Sequence, residues 1–386
     1  MASSPGQSPA DLARVRGEVE AALGGFIRRQ RRDLAALSPE LTACADAIAD
    51  LLAGGKRLRA AFCYWGWRAC GGADVPAIFA AAASLELLHA SALVHDDVMD
   101  ASDTRRGQPS VHRRFEARHG AAGWRGSAER FGMGSAILVG DLLLAWTDEM
   151  LRTSGLPPAA VWRGLAVLDA MRTEVFAGQY LDLVGQASGS ARVADALRVV
   201  TYKSAKYTVE RPLHLGAALA LAGHGEAGHG EAGHGEAGHG EAGHGEAGHE
   251  AAVRSAFTSF GIPLGIAFQL RDDILGVFGD PARTGKPVTD DLREGKRTVL
   301  LALARERAGR RQAAVLDRSV GDPHLTESGA RRVRSVITGT GALAECEMMI
   351  DRNVKEALAA LESAPITEES KSALADLAVA ATSRAD

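Results

Sequence analysis

An all-α fold is predicted by three observations on this chain of 386 residues. Aromatic residues make up only 5% of it, β-branched runs are short, and alanine and leucine recur three and four residues apart over most of its length. Hydrophobic residues reach 46%, ample for a large core, so a single large helical bundle is expected although the length alone would allow two or three domains.

Residues 1–10 are expected to form a flexible N-terminus. From Asp11 to Leu37, apolar positions at Leu12, Val15, Val19, Leu23 and Phe26 draw one helical stripe. Ser38-Pro39 then offers an N-cap and a first-turn proline for a helix that runs to Leu52 and stops at Gly54-Gly55. The turn Gly54-Gly-Lys-Arg-Leu-Arg59 sets three cations at the start of the next helix. A helix N-terminus favours anions, so this turn makes sense if side chains and backbone N–H groups converge on a phosphate; the plain alternative is a solvated basic turn.

Further helices are expected at 74–100, 108–120, 129–154, 158–185 and 191–222. Asp141, alone inside the third of these, reads as a buried hydrogen-bonded partner. Pro212 lacks an N–H and would free the carbonyl of Thr208, kinking the last helix so that Lys203 and Ser204 aim inward. Pro263 repeats the device and frees the carbonyl of Ser259. Between these prolines, Gly223 to His249 is a tandem Gly-His-Gly-Glu-Ala repeat that holds six of the twelve histidines. Its period matches neither helix nor strand and its glycines make ordering costly, so a flexible surface loop is expected. Loose binding of Zn²⁺, Ni²⁺ or Cu²⁺ is the alternative for its histidines. The domain is therefore read as 11–384, interrupted at 223–249.

The stretch from Ser84 to Gly107 organises the chain. An apolar helix runs without a breaker into Asp96, Asp97 and Asp100. Residues four apart share a helix face, so Asp96 and Asp100 point the same way and Asp97 lies roughly 100° round. Like charges so placed repel, and a cation among them resolves the conflict. Oxygen-only ligands select a hard ion, Mg²⁺ before Mn²⁺ or Ca²⁺. Phe268-Gln-Leu-Arg-Asp-Asp273 repeats the design with Asp272 and Asp273. Two apolar helices that each end in paired aspartates look like two walls of one metal site shared with a phosphate-bearing substrate.

The net charge of −4 gives no reason to expect nucleic acid or an anionic membrane as a partner. Cys44, Cys63, Cys70 and Cys346 lack metal-type spacing and read as thiols in a reducing compartment. No signal-peptide pattern opens the chain, and no run approaches about 18 clean apolar residues. A soluble cytoplasmic protein without integral membrane association is expected.

Seven motifs in order carry a resemblance: Gly54-Gly-Lys-Arg-Leu-Arg59; Asp96-Asp-Val-Met-Asp100 with Arg105-Arg106-Gly107; Gly178-Gln179; Lys203-Ser204; Phe268-Gln-Leu-Arg-Asp-Asp273; Gly285-Lys286; and Gly295-Lys296-Arg-Thr298. Over about Gly54 to Thr298 the chain resembles the trans-isoprenyl diphosphate synthases, the polyprenyl synthetase family. The resemblance implies an all-α bundle of the isoprenoid synthase type, usually a homodimer, with a cavity between two Asp-rich helices. It implies Mg²⁺, about three ions bridging the allylic diphosphate, with Mn²⁺ able to substitute. Asp96, Asp97, Asp100, Asp272 and Asp273 match the metal ligands. Arg105, Lys203, Ser204, Gln269, Lys286 and Lys296 match residues that hold the allylic diphosphate. Lys56, Arg59, His89 and Arg106 match the isopentenyl diphosphate pocket. Three positions depart from the family pattern: Gly276 where the second motif often has a third Asp, Ser204 for Thr, and Ala60 for Pro.

The activity implied is head-to-tail condensation of isopentenyl diphosphate with an allylic diphosphate. Product length should be set below Asp96, with Ala92 roughly 6 Å down the helix, Leu88 about 12 Å and Leu85 about 16 Å. Ser91 and Ala92 are small where a bulky aromatic would block growth at C15. Geranylgeranyl diphosphate, with Leu88 or Leu85 as the floor, is the expected product; farnesyl and C25–C35 products are the alternatives. A class I terpene cyclase and a non-catalytic partner subunit are the readings from other classes.

Overall fold

The computed structural model describes residues 9–189, 192–221, 241–279 and 290–382. Helix α1 (Pro9–Leu37) is followed by a 3₁₀ turn (Pro39–Leu41), α2 (Thr42–Leu52), α3 (Leu58–Ala69) and α4 (Pro76–Met99). A two-stranded hairpin, β1 (Thr104–Arg105) and β2 (Gln108–Pro109), leads to α5 (Val111–Ala122), α6 (Ala128–Arg152) and α7 (Pro158–Ser188). Next come α8 (Val193–Val199), a π-helix (Val200–Glu210), α9 (Arg211–Leu221) and α10 (Glu241–Phe278). The C-terminal part adds α11 (Asp290–Arg293), α12 (Val299–Arg307), α13 (Arg310–Ser319), α14 (Glu327–Gly339), α15 (Ala342–Glu362) and α16 (Glu368–Thr382). The all-α expectation holds.

The apolar stripe of α1 lies in the core, with Val15 and Val19 fully buried. Helix α4 packs along α6, α3 along α9, and α10 between the π-helix and α15. One apolar cluster gathers α1 to α7, α9, the first half of α10, the end of α15 and α16; a second gathers α8, the end of α10, α11 to α14 and the start of α15. The cavity described below opens where they meet, drawing Val175 and Tyr207 from the first and Ala196 and Val200 from the second.

Several local expectations are corrected. Helix α1 starts at Pro9, inside the segment expected to be loose. Ser38 makes no capping bond; its hydroxyl donates to Glu40, and the proline starts a 3₁₀ turn instead. Lys203 and Ser204 are aimed by a π-helix, whose wider turn ends where the N–H of Arg211 reaches the carbonyl of Lys206, five residues back. Pro212 starts α9 rather than breaking it. Residues 241–249 of the repeat belong to α10, so helix invades the expected loop; its preceding part, 223–240, lies outside the described residues. Gly285-Lys286 also lies outside them. Asp141 is exposed, not buried, and stands 3.5 Å from His95 Nε2.

Three helices, Pro76–Met99, Ala128–Arg152 and Gly248–Phe278, are long and apolar enough to cross a membrane by length and composition, which corrects the sequence expectation. In the first, 72% of the apolar window is buried inside the bundle, so that apolarity is used in core packing.

Candidate active site

Close helix packing shapes the site. A Cβ at Gly178 on α7 would fall 2.4 Å from the backbone nitrogen of Lys203, and one at Gly265 on α10 would fall 2.4 Å from Cα of Ala205. Glycine at both positions lets α7 and α10 touch the π-helix backbone on opposite sides. Glu174 on α7 fixes the same segment through Lys206 (2.6 Å) and a forked pair of bonds from Arg211 (2.6 and 2.7 Å). The π-helix is thus clamped with Lys203, Ser204, Tyr207 and Thr208 on the wall of a cavity of about 1160 Å³.

On one wall, α4 brings Asp96 to the cavity and α7 brings Asp182. Lys203 Nζ lies 2.7 Å from Asp182 and 3.3 Å from Asp96. Burial works against the ammonium, but Asp96 and Asp182 outweigh it and hold its pKa above the usual value. Burial likewise opposes the Asp96 carboxylate, and Lys203, Lys296 and Arg105 overcome it, lowering its pKa. Asp100 sits just behind, its Oδ2 3.4 Å from Lys296 Nζ, and is pushed up to about 6 by burial and by the Asp96 charge.

Asp97 does not line the cavity. It is buried and takes a fork of hydrogen bonds from Arg105, including one of 3.0 Å from Nε. Asp97, expected as a metal ligand, is thus paired with the Arg105 guanidinium. The hairpin that carries Arg105 turns at Arg106 and Gly107, with φ of 53° and 74°, the positive pair that a two-residue hairpin turn demands.

The opposite wall belongs to α10 and the segment after it. Asp272 and Asp273 both reach the cavity. Ser204 donates to Gln269 Oε1, and Gln269 Nε2 donates to Asp273 Oδ1 at 2.8 Å, linking the two walls. Burial pushes Asp273 up to about 7. Lys296 Nζ stands 2.6 Å from Glu294, 3.5 Å from Asp291 and within reach of Asp100, so one ammonium bridges the two acidic walls. Those carboxylates keep its pKa well above the usual value despite its burial.

At the other end lies a cationic pocket. Lys56, Arg59, His89 and Arg106 line it together. Arg59 donates to Thr208 Oγ1 at 3.0 Å and stacks over the Tyr207 ring at 4.4 Å; the Tyr207 hydroxyl is 3.3 Å from His89 Nδ1. Burial and the Arg59 charge hold His89 well below its usual pKa, so it is neutral and free to donate one hydrogen bond. Burial and repulsion from Arg57 lower Arg106. Arg57 itself turns inward, pairing with buried Glu86 at 3.1 Å. A pocket that lowers the pKa of its own cations gains from an arriving anion.

Below Asp96 the cavity is lined by Ala92, Leu93, Val175 and Phe176. Ser91, Leu88 and Leu85, expected along this wall, are buried beneath that layer and are not among the residues that line the cavity. Sequence reading missed Asp182, Asp291, Glu294, Tyr207 and Thr208. Asp182 was within reach, one helical turn beyond Gly178 on the same face.

The donors suit a hard divalent cation. They are carboxylate oxygens, and Asp273 Oδ2 is buried without a hydrogen-bond partner. Among the described residues, no three His, Cys, Asp or Glu stand together as a ready-made ion cage.

A family model described as Polyprenyl synthetase matches residues 41–231 and 241–337. The chain is 33% identical to the geranylfarnesyl diphosphate synthase of Aeropyrum pernix over 327 residues, covering 83% of this chain and 88% of that protein. It is 31% identical to a geranylgeranyl diphosphate synthase of Mycobacterium tuberculosis over 370 residues, 93% of this chain and 91% of that protein. The structure of a Corynebacterium glutamicum geranylgeranyl pyrophosphate synthase, complexed with isoprenyl diphosphate and magnesium, superposes with a TM-score of 0.86 at 38% identity. That match covers 97% of this chain and 99% of the other.

Proposed function

The chain belongs to the polyprenyl synthetase family, and on that premise we propose that it condenses isopentenyl diphosphate with an allylic diphosphate, head to tail and trans, to geranylgeranyl diphosphate. The observation that carries this reading is the pairing, in one cavity, of a two-walled acidic site with a separate cationic pocket, which gives places for two diphosphates. A terpene cyclase has no second prenyl substrate to hold, and the cationic pocket therefore favours the synthase.

In this reading Asp96, Asp100, Asp272 and Asp273 hold the metal, Mg²⁺ with about three ions or Mn²⁺ in its place, while Arg105, Lys203 and Lys296 hold the allylic diphosphate. When bound, the metal supplies positive charge to the diphosphate leaving group. Ser204 and Gln269 orient the second acidic wall; the role assigned to Lys286 rests on sequence alone. Lys203 and Lys296 are preorganised ammonium groups, and trading a carboxylate for a departing diphosphate requires little movement of either. Arg59, Lys56, Arg106 and His89 fix the isopentenyl diphosphate so that its double bond faces the ionised carbon. Ala92, Leu93, Val175 and Phe176 give the allylic cation an apolar surrounding that keeps water away. No side chain stands out as a base, and the departing diphosphate takes the proton.

Residues 11–384 act as one catalytic domain, with the repeat as an insertion. Apolar residues Phe131, Ile137 and Leu138 on α6 and Phe176, Tyr180 and Val184 on α7 are exposed, and we take this face as the homodimer contact. The four cysteines are free thiols, in keeping with a reducing, cytoplasmic setting.

Two outcomes test the reading. Chelation of divalent metal should abolish incorporation of labelled isopentenyl diphosphate into extractable product, and added Mg²⁺ should restore it; undiminished incorporation in chelator would contradict the metal assignment. Ala92→Phe should shorten the product from C20 to C15 by filling the layer beneath Asp96, read by sizing the dephosphorylated alcohols. An unchanged C20 product would move the length gate away from α4.

A further inference from the structure

A second cavity, of about 330 Å³, backs onto the catalytic one and is lined by α7, α8, α12 and α13. Asp182 and Arg297 line both cavities. Leu181, Val199, Leu301 and Leu316 give the second one apolar walls, and Arg192, Arg198, Arg297 and Arg305 give it four cations. Three carboxylates, Asp182, Asp195 and Asp317, share that wall and are unevenly distributed. Asp195 serves both Arg192 (3.4 Å) and Arg198 (3.6 Å), Asp317 serves Arg305 (3.1 Å), and Asp182 is held by Lys203 (2.7 Å). Among the described residues no carboxylate pairs with Arg297, and its Nε is buried without a hydrogen-bond partner.

Helix α7 supplies an independent observation. A Cβ at Gly164 or Gly178 would press on a neighbour, Leu219 at 2.7 Å or the Lys203 backbone at 2.4 Å, but one at Gly185 would have nothing within 4 Å. Gly185 lines the second cavity and not the catalytic one. Glycine weakens a helix, and no close packing calls for it here; its effect is to leave the cavity open. We infer that this cavity is a second binding site, for a small amphiphilic anion. Its apolar body would lie against Leu181, Val199, Leu301 and Leu316, and its phosphate or carboxylate head would meet Arg297. A guanidinium suits either head, because its fork of donors reaches two oxygens at once. The volume is at the lower end of small-molecule pockets, which suits a short chain. The site stands apart from both diphosphate places of the proposed function, with Asp182 between it and Lys203.

The test is a calorimetric titration of the full chain with geranyl monophosphate and, separately, with decanoate. Chelator is present throughout, to disable the metal-dependent seat in the catalytic cavity. Binding of the phosphate alone, or of decanoate as well, supports the site and tells which head it takes. Arg297→Gln should weaken that binding by about tenfold or more. Gly185→Phe fills the cavity from α7 and should remove the binding, whereas Gly185→Ala should keep it. Thermal melting checks that each variant is folded, and Arg297→Gln decides the matter if Gly185→Phe does not fold. A titration of folded Gly185→Phe or of Arg297→Gln superimposable on that of the parent overturns the inference, as does a parent that binds neither compound. Each of these results leaves the proposed function standing.

Discussion

Asp96→Asn should lower turnover by about a thousandfold while the helical fold persists. Asp96 is the carboxylate of the first motif that both lines the cavity and faces Lys203, at 3.3 Å. In the proposed reading the change takes the negative charge from a metal-binding side chain, and it leaves Lys203 with the Asp182 carboxylate as its ion-pair partner. Asp97→Asn is the matched comparison. Asp97 touches Arg105 behind the wall, so its removal should cost less, of the order of tenfold to a hundredfold, and act through a loosened Arg105. Steady-state rates at saturating Mg²⁺ distinguish the two. Equal losses would contradict the division of labour within the motif.

Gly178→Val should lower turnover by about a hundredfold without a mutation in any charged group. Its Cβ would meet the Lys203 nitrogen at 2.4 Å, so either α7 or the π-helix must move. Overpacking of this kind costs about 1–3 kcal/mol, which a large bundle can absorb, while a shift near 1 Å at Lys203 spoils its placement between Asp96 and Asp182. The expected signature is a fall in kcat larger than the fall in melting temperature would suggest. Full activity in a folded Gly178→Val chain would show that the clamp on the π-helix is not needed.

Helix positions were legible because burial writes a period into the sequence: Val15, Val19 and Leu23 share a face and share the core. The acidic and basic motifs were legible because unbalanced charge beside apolar helices has few inexpensive explanations. Other features depend on what another element places nearby. Nothing local to Asp97 says that Arg105 turns back onto it, and nothing near Gly276 says that residue 291 fills its space. The π-helix was read as a proline kink because Pro212 is visible in sequence while the clamp by Gly178, Gly265 and Glu174 comes from two other helices. Along α4 the sequence gives distance below Asp96 but not which side chains meet the cavity: Leu88 and Leu85 lie in the core, while α7 adds Val175 and Phe176 to the lining. Asp141 looked buried because its neighbours are apolar; those neighbours belong to a helix with an exposed apolar face.

The central claim is that one cavity seats two diphosphates and joins their chains. The most direct measurement supplies the purified chain with Mg²⁺, isopentenyl diphosphate and each of the C5, C10 and C15 allylic diphosphates, and sizes the products by mass spectrometry. The account predicts that every starter accepted is extended to C20. No extension of any starter would contradict the synthase reading of this chain acting alone, and cyclised hydrocarbon without consumption of isopentenyl diphosphate would assign the cavity to a cyclase.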